Sequence, residues 1–144
     1  MAKVAFPLVS PAPIRASFEF GLGYIWLDGR GKSFSPHPNA DLWLPAPAAC
    51  TRIAWEFGII QAAYERKDGT TDGVEFTVTS LRPGAAPRVI FQRMLEPATR
   101  VTDRGTQQEV ISFESVSGEM LRFSTTPGQS RSFDWPIGGR IEVK

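Results

Sequence analysis

Arg52-Ile53-Ala54-Trp55-Glu56-Phe57-Gly58-Ile59-Ile60 is the stretch on which the fold turns. Ile53, Trp55, Phe57 and Ile59 recur at every second position with Glu56 on the other face, and a period of two marks a strand with one face buried. Segments on both sides repeat the pattern. Between Gly73 and Ser80, Val74, Phe76 and Val78 face one way and Glu75, Thr77 and Thr79 the other. Leu121 and Phe123 alternate with Arg122 and Ser124, and Phe18 and Phe20 with Ser17 and Glu19. Ile111 with Phe113, and Ile141 with Val143, extend the set. Val89-Ile90-Phe91 is apolar on both faces, as expected of a strand near the middle of a sheet. Counting Val4-Phe6-Leu8, the chain holds about eight strands.

The punctuation agrees. Asp68-Gly69, Asp72-Gly73, Arg82-Pro83-Gly84, Ser117-Gly118 and Pro127-Gly128 are turn signals between those strands. No long window carries a helical apolar period, although Gln61 to Arg66 accommodates either one helical turn or a strand continuing through Ala63. Phe18-Glu19-Phe20-Gly21-Leu22 echoes Trp55-Glu56-Phe57-Gly58-Ile59, which reads as two strands of similar setting rather than a repeat fold. From Asp28 to Ala49 the chain carries Pro36, Pro38, Pro45 and Pro47 with little alternation. Each proline removes a ladder donor, so residues 28–49 read as one long Pro/Gly-rich loop anchored by Phe34, Leu42 and Trp43. The expected class is all-β: a two-sheet antiparallel β-sandwich, jelly-roll-like, with a core of Phe18, Phe20, Ile53, Trp55, Phe57, Val74, Phe76, Phe91, Phe113 and Phe123.

Composition bounds the rest. The 144 residues suit a single domain spanning 1–144, and a 42% hydrophobic content excludes disorder. Sixteen basic against fifteen acidic residues leave a net charge of +1, too little field to hold nucleic acid or an anionic membrane surface. The opening residues have one positive charge and a short apolar run cut by Pro7, which is no secretory signal, and no segment is suited to membrane insertion. Cys50 is the single cysteine, which excludes an intrachain disulfide and leaves the compartment open.

Enzyme signatures are weak. His37 is the only histidine, set in Ser35-Pro36-His37-Pro38, and no Gly-x-Ser-x-Gly elbow accompanies it. One histidine and one cysteine make a poor zinc site. Gly21-Leu22-Gly23 has Trp26 where a phosphate-binding fingerprint needs its third glycine. No carboxylate pair is nominated by spacing, so no catalytic residue is assigned. Arginines outnumber lysines twelve to four. Arg88, Arg93, Arg100 and Arg104 have the chemistry to bind an acidic sugar or a protein carboxylate, but nearby Glu96 and Asp103 make solvated strand and turn positions the favoured account.

From Asp72 onward a familiar order emerges. Asp72-Gly73-Val74-Glu75-Phe76-Thr77-Val78 is followed by a strand ending near Leu95-Glu96-Pro97 and by Val110-Ile111-Ser112-Phe113. Leu121-Arg122-Phe123-Ser124-Thr125-Thr126-Pro127-Gly128 and Phe133-Asp134-Trp135 close the series. This order resembles the jelly-roll, galactose-binding-like carbohydrate-binding modules of the NPCBM type, over residues 72–143. Such modules accompany bacterial glycoside hydrolases and envelope-associated proteins. The resemblance implies a noncatalytic module that binds carbohydrate by aromatic stacking and hydrogen bonds. Trp55 falls on the inward face and Trp135 reads as structural, which leaves Trp26, Trp43, Tyr24 and Tyr64 as candidate ligand-binding residues. The resemblance also implies room for a structural calcium ion, for which Asp68-Gly69-Thr70-Thr71-Asp72-Gly73 offers the carboxylates of Asp68 and Asp72; no other cofactor is expected. Two alternatives stand beside this reading: a structural or protein-interaction domain of a larger envelope-associated protein, and a small glycoside hydrolase.

Overall fold

Alternation of apolar side chains becomes two packed sheets in the computed structural model. The structure describes Phe6 and residues 8–20, 23–27, 31–65, 69–130 and 134–144, and the side chains of 23–27 and 31–32 lie outside that description. The strands are β1 (Val9–Ser10), β2 (Arg15–Phe18), β3 (Gly23–Leu27), β4 (Gly31–Ser35), β5 (Ala40–Pro45), β6 (Arg52–Ile59), β7 (Val74–Leu81), β8 (Arg88–Leu95), β9 (Gly105–Ser112), β10 (Met120–Pro127), β11 (Pro136–Ile137) and β12 (Ile141–Val143). One sheet runs β2-β5-β10-β7-β8 and is antiparallel throughout. In the other, β6 has β9 on one side and β11 and β12 on the other, and β1 adds parallel to β12. A β3–β4 hairpin docks against the second sheet through the Gly138 N–H, which donates to the Phe34 carbonyl, and the Ser35 hydroxyl, which donates to the Pro136 carbonyl.

The core is aromatic where the sheets face each other. The Trp55 ring lies 4.8 Å from Phe57 and 5.0 Å edge-on from Phe123, and Phe57 lies 4.6 Å from Phe76. Trp55 is 2% exposed and its indole N–H is satisfied by the Gly138 carbonyl at 3.0 Å, so a residue with one polar atom is buried without cost in hydrogen bonding. Ile53, Phe57, Val74, Phe76, Phe113 and Phe123 are buried as the alternation predicts, while Phe18 and Phe91 are partly buried against them.

Four expectations are corrected. Residues 28–49 are not one loop: they contain β4 and β5, and β5 lies between β2 and β10. Pro36 and Pro38 sit in the β4–β5 connection and Pro45 is the last residue of β5, so none removes a donor from the middle of the ladder. Ala40, Leu42 and Leu44 alternate inward, a period masked in the sequence because outward-facing Trp43 is also apolar. The Val89-Ile90-Phe91 run belongs to β8, which ends its sheet rather than occupying the middle. A register shift opposite Val78/Thr79 pairs Thr79 with Val89 and Val78 with Phe91, so Ile90 is an inserted residue and Val89 is 55% exposed. Phe20 lies outside the core, since β2 ends at Phe18 and the chain turns outward, leaving Phe20 57% exposed. The Phe18/Trp55 echo therefore joins two different settings. Residues 61–63 form a single 3-10 turn, with Ala63 buried.

Candidate functional site

Sheet register gathers the longer connections at one end of the sandwich. Phe18 lies opposite Ala40, Ala40 opposite Thr125, Thr125 opposite Phe76 and Phe76 opposite Arg93. The described residues beyond these positions therefore emerge together: 19–20 after β2, 36–39 before β5, 60–65 and 69–73 before β7, 96–104 after β8 and 128–130 and 134–135 after β10.

Side chains from these segments form several polar and aromatic groups at this end. Phe20 meets the His37 ring edge-on at 4.9 Å. Beside them the Asn39 amide and backbone N–H donate to Glu19 Oε2 at 2.9 and 3.1 Å, and the Glu19 N–H donates to the Asn39 carbonyl. Deeper in, Asp134 is fully buried; Thr71 Oγ1 donates to its Oδ1 at 2.6 Å, and the Gly73 N–H donates to Thr71 Oγ1. Asp134 Oδ2 has no hydrogen-bond partner among the described residues. Burial, helped by the negative charge of Asp72, pushes the Asp134 pKa up to about 6 against the opposing pull of the Thr71 hydrogen bond and His37. Exposed Asp72 accepts the Ser130 N–H at 2.6 Å on Oδ2. Tyr64 is half-buried beneath Arg104, whose guanidinium carbon lies 5.4 Å from the ring centre, and Arg104 Nε donates to the Pro97 carbonyl.

Of the residues nominated from sequence, Tyr64 and Asp72 belong to this end. Trp43 does not: it lies on the outer face of the β2-β5-β10 sheet, paired in register with Arg15 on one side and Arg122 on the other. The Arg15 guanidinium carbon lies over its ring, 4.4 Å from the centre. Tyr24 and Trp26 are on β3, with side chains outside the described residues, as is Asp68 altogether. Among the described residues no three His, Cys, Asp or Glu side chains gather in a metal-binding cluster. The arginine cluster is occupied internally at three of its members: Arg93 bonds Glu109, Gln107 and Asp103, Arg100 pairs with Glu96, and Arg104 covers Tyr64. Sequence reasoning missed Phe20, Asn39 and Thr71 as members of this end. For Asp134 a signal existed: a carboxyl between Phe133 and Trp135 stands in a setting where burial is expected.

The described residues include no helix long and apolar enough to cross a membrane. No protein-family model and no curated protein sequence matches the chain. Solved structures do. The CBM51 of Clostridium perfringens GH95 superposes with a TM-score of 0.58 at 12% identity, covering 92% of this chain and 94% of that one. The CBM51-2 and INT domains of Clostridium perfringens ZmpB give a TM-score of 0.60 at 9% identity, covering 92% of this chain and 30% of theirs, so the chain spans under a third of that structure. A family 6 carbohydrate-binding module gives 0.53 at 6% identity, covering 92% and 87%. The two-sheet architecture predicted from alternation therefore shares its β-sandwich fold with the CBM51 and CBM6 carbohydrate-binding modules.

Proposed function

We propose that this chain is a noncatalytic carbohydrate-binding module whose loop end contacts the sugar. The observation that supports it most is the exposed Phe20 ring held edge-on to His37 with the Glu19–Asn39 pair beside it. An apolar ring face for the C–H side of a pyranose next to a carboxylate and an amide for its hydroxyls is the minimal chemistry of sugar recognition. Asp134 and Thr71 act as positioning residues, since Asp134 is fully buried and ties the segment before β11 to the entrance of β7.

The CBM51 of GH95 was solved with methyl-galactose and the second ZmpB module with GlcNAc, which makes these two sugars the first probes. Titration followed by amide NMR is expected to give saturable shifts at Phe20, His37 and Asn39. Phe20→Ala, folded by the same spectra, is expected to weaken binding about threefold to tenfold, the range of one aromatic contact. Shifts confined to the opposite end of the sandwich, or no binding of neutral sugars, overturn the reading. The calcium role of Asp68 and Asp72 is tested by repeating the titration with calcium and with chelator: unchanged melting and binding remove it.

A further inference from the structure

The outer face of the β2-β5-β10 sheet carries a second arrangement, remote from the loop end. Arg15, Trp43 and Arg122 stand at one register on three adjacent strands, and Thr79 of β7 continues the row. Inward neighbours Leu42 and Phe123 are buried, so pleating places the Arg–Trp–Arg row on the side away from the core. Arg15 is exposed and its guanidinium carbon lies over the indole, 4.4 Å from the ring centre, a cation–π contact that holds the planar donor fork beside the ring. Among the described residues Arg122 has only a distant ion-pair partner: its buried Nε lies 3.9 Å from Asp41 Oδ1, and that same oxygen already accepts the Ser124 hydroxyl at 2.6 Å. The row thus sets two guanidinium groups about two strand spacings apart, roughly 10 Å between backbones, with an indole between them. Two long, planar-headed cations on the same outer row give one anionic group a donor on each flank of the indole.

We infer that this face is a second glycan-contact surface, selective for sugars bearing a carboxylate. The inference rests on the carbohydrate reading above and adds to it the charge of the ligand. A sugar ring against the indole edge, with its carboxylate between Arg15 and Arg122, uses apolar and ionic contacts together. Hydroxyls of Ser17 and Ser124, carried in line with Asp41 on neighbouring strands, lie within the same outer face to meet ring hydroxyls. A peptide strand fits less well between Trp43 and Arg122: β5 and β10 are paired on both sides, so the one backbone edge in the row is that of β2, beyond Arg15.

The test compares trigalacturonate with its fully methyl-esterified form, identical rings with the charge removed, and follows the indole resonance of Trp43 assigned through Trp43→Phe. The acid is expected to bind about tenfold tighter than the ester, to shift the Trp43 indole, and to weaken as salt rises. Arg15→Gln and Arg122→Gln are each expected to remove most of that preference. Arg15→Lys keeps the charge but not the planar donor fork and is expected to fall between, and Phe20→Ala is expected to leave it intact. Equal binding of acid and ester, or an unmoved Trp43 indole, overturns the inference. So does a triglutamate peptide that binds as tightly with the same Trp43 shift, which reassigns the face to acidic peptides. Neutral sugars binding at Phe20 while trigalacturonate fails defeat this inference alone; no sugar of either kind binding defeats the loop-end reading as well.

Discussion

Asp134 concentrates the energetics of the loop end in one side chain. Its carboxyl is buried, one oxygen is bonded by Thr71 and the other has no hydrogen-bond partner among the described residues, which is why its pKa rises to about 6 from an ordinary 3.8. A raised carboxyl pKa means that the folded state holds the proton more tightly than the unfolded chain. Its contribution to stability is therefore full below about pH 4 and is lost as pH rises through 6, a change of about 2–3 kcal/mol. Glu119 works in the opposite direction. Burial opposes its charge, but hydrogen bonds from Ser80 at 2.5 Å and the Val116 N–H, together with the Arg82 charge, lower its pKa below 4.5. Its stabilisation is present at neutral pH and lost on acidification. Asp134→Asn removes the first titration and leaves the second. In urea unfolding at pH 4 and pH 7, the stability lost by the parent on raising pH, relative to the variant, is expected to be about 2 kcal/mol. Parallel pH profiles for the two proteins would show that Asp134 ionises without penalty.

Among the elements, the short link between β11 and β12 does more than join them. Gly139 has φ of +66°, and a Cβ there would fall inside the Glu56 carbonyl of β6, so the chain passes against the strand that its own neighbours pair with. That close approach lets the Arg140 and Glu56 backbones exchange hydrogen bonds and brings the Gly138 carbonyl to the Trp55 indole. Gly84, in the β7–β8 turn, has φ of +72° but open space where its Cβ would be. Gly84→Ala is expected to cost about 1 kcal/mol, from conformation alone, and Gly139→Ala at least about 2 kcal/mol more because Glu56 must move. Thermal unfolding of both variants checks the difference, and equal losses would refute the packing argument. At this scale the sequence was legible wherever a strand had one polar face. β6, β7 and β10 could be read because Glu56, Glu75, Thr77 and Arg122 mark the outward positions, whereas β5 was hidden by an outward tryptophan and β8 by a bulge.

Across the molecule, the two sheets are stapled where β8 and β9 end them side by side. Arg93 of β8 donates to Glu109 and Gln107 of β9 at 2.9 Å and lies 3.4 Å from Asp103 in the connection between them. Asp103 is 5% exposed, and its other oxygen accepts the Glu96 N–H. Removing the guanidinium leaves that carboxylate buried with half its partners, so Arg93→Ala is expected to cost about 1–3 kcal/mol in urea unfolding while the sheets stay paired. A change below about 0.5 kcal/mol would show the staple to be dispensable.

The sequence by itself determined the fold class and the main core side chains, because burial of one strand face imprints a period of two on local composition. It also supplied Tyr64, Asp72 and Trp43 as residues worth locating. Only the tertiary structure decided that Tyr64 and Asp72 share an end with Phe20, His37 and Asp134, and that Trp43 lies on a separate face between two arginines. Those groupings depend on long-range strand register, Phe18 against Ala40 against Thr125 against Phe76. The alternating pattern fixes which face of each strand is buried, but which residues of two segments dozens of positions apart lie opposite each other is decided only when those segments pack together.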